Sequence, residues 1–276
     1  MLQFMEHALV SVVIVNYNTF EVTCECIRLV KEKTQNLYYE IIVVDNASKE
    51  IDPDMFLKYF PEVILIKSET NVGFARGNNL GVAVAKGEFI LLLNSDAFLQ
   101  NNVALLLVNF LKEHPDVAAV TGHLRHADGR IQHNCQRFPS IRYQLFELFR
   151  LQKIVPRRIA GKILYGSFFD YKSVAFPDWI WGTCFMFSPS ILKTFPGNEL
   201  PTDYFLYVED VQWCMEFRQR GYKVAYVPNA QVIHLLGKSG GNAQQAMKQN
   251  LKSFIDKYYA LWHRSVILFL EGLLLR

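Results

Sequence analysis

Short apolar runs, rich in β-branched residues, recur through the first half of the chain, and segments with apolar positions at helical spacing separate them. Val10–Val15 has buried-strand length and stops at Asn16-Tyr17-Asn18. Behind it, Val22, Cys26, Leu29 and Val30 recur at i, i+4, i+7 and i+8, which predicts a helix buried on that face. Further strands are predicted at Glu40–Val44, ending in Asp45-Asn46, at Val63–Ile66, at Glu88–Leu93, ending in Asn94-Ser95-Asp96, and at Val117–Thr121. Between them the small residues after Asn71 predict a helix through Lys86, and Val103, Leu106, Leu107, Phe110 and Leu111 form a second helical stripe.

Strands alternating with helices predict an α/β fold: a mostly parallel central sheet with helices on both faces. In such sheets ligands bind beyond the carboxyl ends of the strands. Here those ends carry Asn16, Asp45, Asn94 and Asp96. The second half reads less regularly. Asp128-Gly129 predicts a hairpin turn, Thr183–Phe187 a strand, Glu209-Asp210 the start of a helix, and Lys223–Val227 a strand leading to His234. Toward the end, Leu251, Phe254, Ile255, Tyr258, Tyr259 and Trp262 keep helical spacing opposite Lys248, Lys252 and Lys257, so a C-terminal helical extension is expected over 241–276.

Length and composition narrow the classes. The 276 residues, 51% hydrophobic, suffice for one large domain with an extension and exclude disorder as the main state. A net charge of +3 and the lack of a compact basic helix argue against nucleic acid as a partner. The five cysteines lack metal-finger spacing and suggest a reduced, cytoplasmic setting. Met1–Val10 has no secretory pattern, and Val266–Leu275, interrupted by Glu271, is too short to span a bilayer. A soluble protein, or one at the inner membrane surface, is expected.

Three places carry candidate chemistry. Asp96, just past a buried strand, suits Mg²⁺ or Mn²⁺ held by one carboxylate plus substrate phosphates, although Asn94-Ser95-Asp96 caps a helix equally well. Glu209-Asp210 offers a general base for an acceptor hydroxyl, although acids at a helix start are favoured by the dipole alone. His234 gains weight only if it converges on Asp96. His123, His126, His133 and Cys135 match no common zinc spacing and read as hairpin neighbours. The aromatic and basic stretch Arg137–Lys172 suits a phosphate-bearing acceptor or anionic lipid, and equally an ordinary solvated loop. The apolar tail suits a membrane interface, packing on the domain, or a homodimer contact.

Taken in order, these segments resemble glycosyltransferase family 2, the inverting enzymes with the A-type nucleotide-sugar fold, and especially its bacterial rhamnosyltransferase-like branch. The resemblance rests on Val12–Asn18, Ile42–Ser48, Asn71–Asn79, Leu93–Asp96, Asp128–Gln132, Arg137–Pro139, Asp178-Trp179 with Gly182, Phe205–Asp210, Gly221–Val224 and Val232–His234. It implies a metal-dependent hexosyltransferase that moves a sugar, L-rhamnose or another hexose, from a nucleoside-diphosphate sugar to an acceptor hydroxyl. The acceptor implied is a saccharide or lipid-linked saccharide in surface polysaccharide synthesis.

The resemblance divides residues 1–240 into a nucleotide-sugar half, about 8–122, and an acceptor half, about 123–240. It implies donor contacts from Asn16, Asp45, Arg76 and Asn94, metal contacts from Asp96 and His234, and acceptor contacts from Asp178, Trp179 and Gly182. Asp210 matches the catalytic base, with Glu209 as a second acid. Asn94 stands where the family's first metal-motif acid is common, and Gln212 and Glu216 replace an acid and a base on the following helix. Two competing expectations are a non-catalytic sugar-nucleotide or membrane scaffold and a sugar nucleotidyltransferase. Against the second, Asn16–Thr19 is not a Gly-rich phosphate loop.

Overall fold

The computed structural model describes residues 9–236 and 243–274. In chain order the elements are β1 (Leu9–Asn16), α1 (Phe20–Lys33), β2 (Tyr38–Asp45), α2 (Met55–Tyr59), β3 (Ile64–Lys67), α3 (Phe74–Val84), β4 (Phe89–Leu93), β5 (Ala97–Leu99), α4 (Val103–Glu113) and β6 (Val117–Arg125). There follow β7 (Cys135–Gln136), α5 (Ile141–Leu148), α6 (Arg157–Leu164), β8 (Trp179–Ile180), β9 (Cys184–Phe187), α7 (Glu209–Gln219), β10 (Lys223–His234), α8 (Ala243–Tyr258) and α9 (Leu261–Leu274).

Eight strands form one sheet in the order β3-β2-β1-β4-β9-β6-β10-β5. The pairings β2–β3, β1–β2, β1–β4 and β6–β10 are parallel; β9 is antiparallel to both β4 and β6, and β5 to β10. This is the expected α/β architecture with helices on both faces, made mixed by β9 from the second half and the short β5 from the first. Because β9 lies between β4 and β6, the proposed donor and acceptor halves share one sheet rather than forming two.

One apolar layer packs α1 and α4 on the sheet through Phe20, Ile27, Val30, Leu107 and Leu111. The other packs α7, α8 and α9 through Trp213, Phe217, Phe254, Ile255 and Ile267. Helix α3 sits close to the sheet because its inner face is small: a Cβ on Gly81 would lie 2.4 Å from Val13 Cγ1. The face of α1 differs from expectation. Val22 and Leu29 are only half-buried, and Phe20, Thr23, Cys24, Cys26, Ile27 and Val30 point inward. The Thr23 hydroxyl donates to Asn16 Oδ1 at 2.8 Å, which turns the helix toward the β1 end.

Two other differences matter for the site. Strand β6 runs to Arg125, beyond the predicted Thr121, and β10 continues without a break to His234. Its pairing register shifts between Tyr226 and Gln231, and it ends with His234 opposite Ala97 of the short strand β5. The turn at Asp128-Gly129 is present, closed by Arg125 opposite Ile131 and by His126 N donating to Arg130 O at 2.8 Å. All five cysteines are buried and unpaired.

Candidate active site

The ends of β1, β2 and β4 form one face of a hollow of about 200 Å³, lined by Val15, Tyr17, Thr19, Asn46, Asn71, Phe74, Asn94, Ser95, Asp96 and Phe205 among others. Its back wall is a set of buried amides. Asn16 Nδ2 donates to Asp45 Oδ2 at 2.8 Å and to Ser48 Oγ at 3.0 Å, while Ser48 N donates to Asp45 Oδ1 at 3.0 Å. Asp45 and Asn16 are themselves buried and do not line the hollow; they stand behind Asn46, with lone pairs of the Asp45 carboxylate to spare, since each oxygen accepts more than one bond.

Asn46, which sequence reasoning passed over, does as much as its neighbour. Its Oδ1 accepts Val72 N at 2.9 Å, and its Nδ2 donates to Asn71 Oδ1 at 3.0 Å and Gly73 O at 3.2 Å. It thereby pins the loop that opens α3. Gly73 has φ +85°, and an added Cβ would sit 2.3 Å from Phe205 O, so only glycine admits the close crossing of the 205 segment. A buried Asn directly after a strand-ending Asp was the signal available in the sequence. Arg76 lies exposed on α3 and does not line the hollow.

At the other wall Asp96 and His234 meet, as β5 and β10 require: His234 Nε2 lies 3.2 Å from Asp96 Oδ1, and Leu235 N donates to Asp96 O at 3.0 Å. Gln132, buried and also unanticipated, sets the ring. Its Oε1 can only accept, so His234 Nδ1, 2.8 Å away, carries a proton, and its Nε2 donates to His234 O at 2.7 Å. In the neutral ring the Nε2 lone pair then faces the Asp96 carboxylate, an arrangement that a shared cation satisfies. Asn94 Oδ1, buried at the same rim, has no hydrogen-bond partner among the described residues. These donors fit a divalent cation completed by substrate phosphates, although no group of three His, Cys, Asp or Glu side chains among the described residues forms a self-sufficient metal site.

The two acids at the start of α7 have separate surroundings. Glu209 is buried, with Oε2 unpartnered among the described residues, and burial together with the Asp210 charge raises its pKa. Asp210 is half-buried: Oδ2 accepts Gly182 N at 3.0 Å and Oδ1 accepts Val211 N at 2.8 Å. Burial raises its pKa too, against these backbone donors. Gly182 thus holds the carboxylate by its backbone. Since Asn94 N donates to Thr183 O at 2.9 Å, two adjacent residues tie Asp210 to the Asn94 end of the hollow.

Asp178 and Trp179 are committed to scaffolding. Asp178 accepts Phe138 N and Arg137 Nη1 at 3.0 and 3.1 Å, and the Trp179 indole donates to Arg137 O at 3.0 Å. The Arg137 guanidinium also stacks between Tyr143 and Tyr165 and donates to the carbonyls of Ile163 and Lys162. The histidines at the hairpin do not converge. His123 Nδ1 lies 2.6 Å from the Tyr226 hydroxyl, and burial lowers its pKa to about 4; His123 and His133 each pack on the Tyr171 ring rather than on each other.

A sheet whose carboxyl ends hold a buried amide wall, an Asp–His pair and a hydrogen-bonded acid also matches known proteins. The profile described as "Glycosyl transferase family 2" covers residues 11–173, more than half of the chain. The chain belongs to glycosyl transferase family 2. Among its relatives, the Bacillus subtilis uncharacterized glycosyltransferase YwdF is 26% identical over 90% of this chain and 82% of its own. Glycosyltransferase GlyG of Streptococcus pneumoniae is 33% identical over 44% of this chain, a match that spans only 40% of GlyG. In fold the chain resembles mannosyltransferase PcManGT of Pyrobaculum calidifontis, solved with GDP-Man and Mn²⁺, at a TM-score of 0.62 and 19% identity over 98% of this chain and 70% of that one. A glycosyl transferase family 2 fold and a transferase are thus the common ground.

Proposed function

We propose that this family 2 protein transfers one sugar, with inversion, from a nucleoside-diphosphate sugar to a hydroxyl of a saccharide or lipid-linked saccharide. The observation that carries the reading is the meeting of Asp96 with His234 beside the unpartnered Asn94 amide oxygen, in the hollow that Asn46 also lines. The donor's base and ribose would lie at the β1–β2 end of the hollow, beside Asn46 with Asn16 and Asp45 behind it, and its diphosphate against Asp96. Mn²⁺ or Mg²⁺, held by Asp96, His234 and the Asn94 oxygen, would supply positive charge to the leaving diphosphate.

Asp210 takes the acceptor proton on a carboxylate oxygen whose position Gly182 N or Val211 N fixes, and the deprotonated hydroxyl attacks the anomeric carbon opposite the nucleotide. Burial raises the Asp210 pKa toward neutrality, where a general base is most effective. Glu209 stays with the scaffold. The acceptor would enter over Gly182, and Asp178 and Trp179 would shape that entry by holding the Arg137–Phe138 turn. L-Rhamnose and surface polysaccharide remain the expectation from the branch resemblance.

Thermal stability in the presence of nucleoside diphosphates and nucleotide sugars, GDP-mannose and thymidine-diphosphate rhamnose included, tests the donor site. Selective binding at a hundredfold excess over Kd stabilises by about 2.7 kcal/mol. A shift with one nucleotide that needs Mn²⁺ or Mg²⁺ and shrinks in Asp96→Ala is expected. If no nucleotide shifts the transition, the donor reading fails and a non-catalytic scaffold takes its place.

A further inference from the structure

From Leu148 to Phe169 the chain has no acidic residue and five cations, Arg150, Lys153, Arg157, Arg158 and Lys162. All five are exposed, and none forms an ion pair with a described acid. Large apolar side chains stand among them in water: Phe149 is 66% exposed, Ile154 78% and Ile159 51%. Helix α6 is sharply two-faced, with Ala160, Gly161 and Leu164 turned inward and Arg157, Arg158, Ile159 and Lys162 outward. The segment is braced from behind, because α5 leads into it and packs on α9, where Gln144 Nε2 donates to Ile267 O at 3.1 Å.

We infer that the outward face of residues 149–162 is a docking surface for an anionic lipid bilayer. The free cations and the exposed apolar side chains have one joint explanation. Unpaired cations alone would suit any polyanion, including an acidic protein or a nucleic acid. Interleaved Phe149, Ile154 and Ile159 gain nothing from a phosphate backbone and would need a matching apolar face on a protein, whereas any bilayer interface accepts apolar side chains below the headgroups and cations at their level. Each Lys or Arg near an anionic surface strengthens binding about fivefold, so five together set the lipid preference. No described helix is long and apolar enough to cross a membrane, so the contact lies on the surface. The inference stands apart from the transfer reaction and uses none of its residues.

Flotation of the full chain with phosphatidylcholine vesicles, with and without phosphatidylglycerol, tests it. The chain is expected to bind the phosphatidylglycerol vesicles at least about tenfold more tightly, and to be released as salt shortens the screening length. Arg157→Glu with Arg158→Glu should lower that binding about tenfold or more, and Ile154→Ser with Ile159→Ser should lower it severalfold. These side chains are exposed, so unchanged melting temperatures check the fold. Failure of the full chain to float, or binding that survives both pairs, overturns the assignment. Sensitivity to the charge pair alone overturns it in favour of a non-lipid polyanion.

Discussion

Glu209 and Asp210 are neighbours in sequence with different surroundings, and the difference is a matter of which atoms meet them. Asp210 keeps two backbone N–H donors and part of its surface in water; Glu209 is buried with an oxygen unpartnered among the described residues. Asp210→Asn should therefore lower turnover by about 10²–10⁴-fold while nucleotide binding, read by thermal shift, is retained. Near-normal turnover would remove Asp210 from the base's role. Glu209 yields a pH prediction. Its folded pKa is raised, so its contribution to stability is full below the unfolded value of about 4.3 and is lost as pH rises through the folded value. Glu209→Gln has no such loss, so melting temperatures across pH 5–9 should fall less steeply with pH than in the parent, with the variant ahead at the alkaline end. Parallel curves would mean that Glu209 does not titrate on unfolding. At this scale the family resemblance singled out Asp210, while the residues alone left open which acid faces the cleft, because one step along a helix start turns a side chain from core to cleft. Asp96 and His234 are separate candidates by local pattern, and only the resemblance joined them. Their meeting depends on a register shift in β10 that leaves no mark in the hydrophobic pattern.

Strands and helices were the most legible level. Buried parallel strands such as β1, β2 and β4 are short continuous apolar runs, and turn residues mark their ends. Strand β5, three residues long, is too short to show any period, and it is the one that sets His234 beside Asp96. The segment before α7 was legible only as an aromatic run. In the structure Tyr207 and Val208 both have positive φ, 69° and 77°, a strained backbone for a β-branched residue. What holds it is Asn250 of α8, whose Nδ2 donates to Leu206 O at 2.9 Å and Tyr207 O at 3.1 Å. The same segment brings Phe205 and Leu206 to the hollow and starts the helix that bears Asp210. Asn250→Asp keeps the size of the side chain and removes the donor. It should weaken kcat and donor affinity together, kcat by about tenfold, as expected when a segment bordering a site loses its anchor. Unchanged kinetics with a lowered melting temperature would limit Asn250 to stability.

The C-terminal extension belongs to the molecule as a whole. Phe254 and Ile255 of α8 are fully buried, Phe254 stacks on Phe138 at 6.1 Å, and the Tyr259 hydroxyl donates to Pro139 O at 2.8 Å. The Tyr258 hydroxyl meets both Glu216 and Gln212 on α7, so the two positions that depart from the family pattern form the seat of this helix. The apolar stripe from Leu251 to Tyr259 is thus packing on the domain, whereas Leu261, Trp262 and Phe269 of α9 stay exposed. Helical spacing told that a face would be covered but not by what, since the same stripe serves a core, a partner or a lipid surface equally. The consequence is cooperative. Because α8 joins α7, the Phe138 turn and the 205–208 segment, the extension should not melt as a separate unit. Phe254→Ala should cost about 3–5 kcal/mol, the range for a large buried aromatic, and lower the melting temperature of the entire protein in one transition. Tryptophan fluorescence and far-ultraviolet circular dichroism should report that transition at the same temperature, since Trp213 lies in the shared layer. Two separated transitions, with the early one confined to helix content and the Trp213 signal intact, would make the extension an independent appendage and leave the clamp on the active-site segment without a cause.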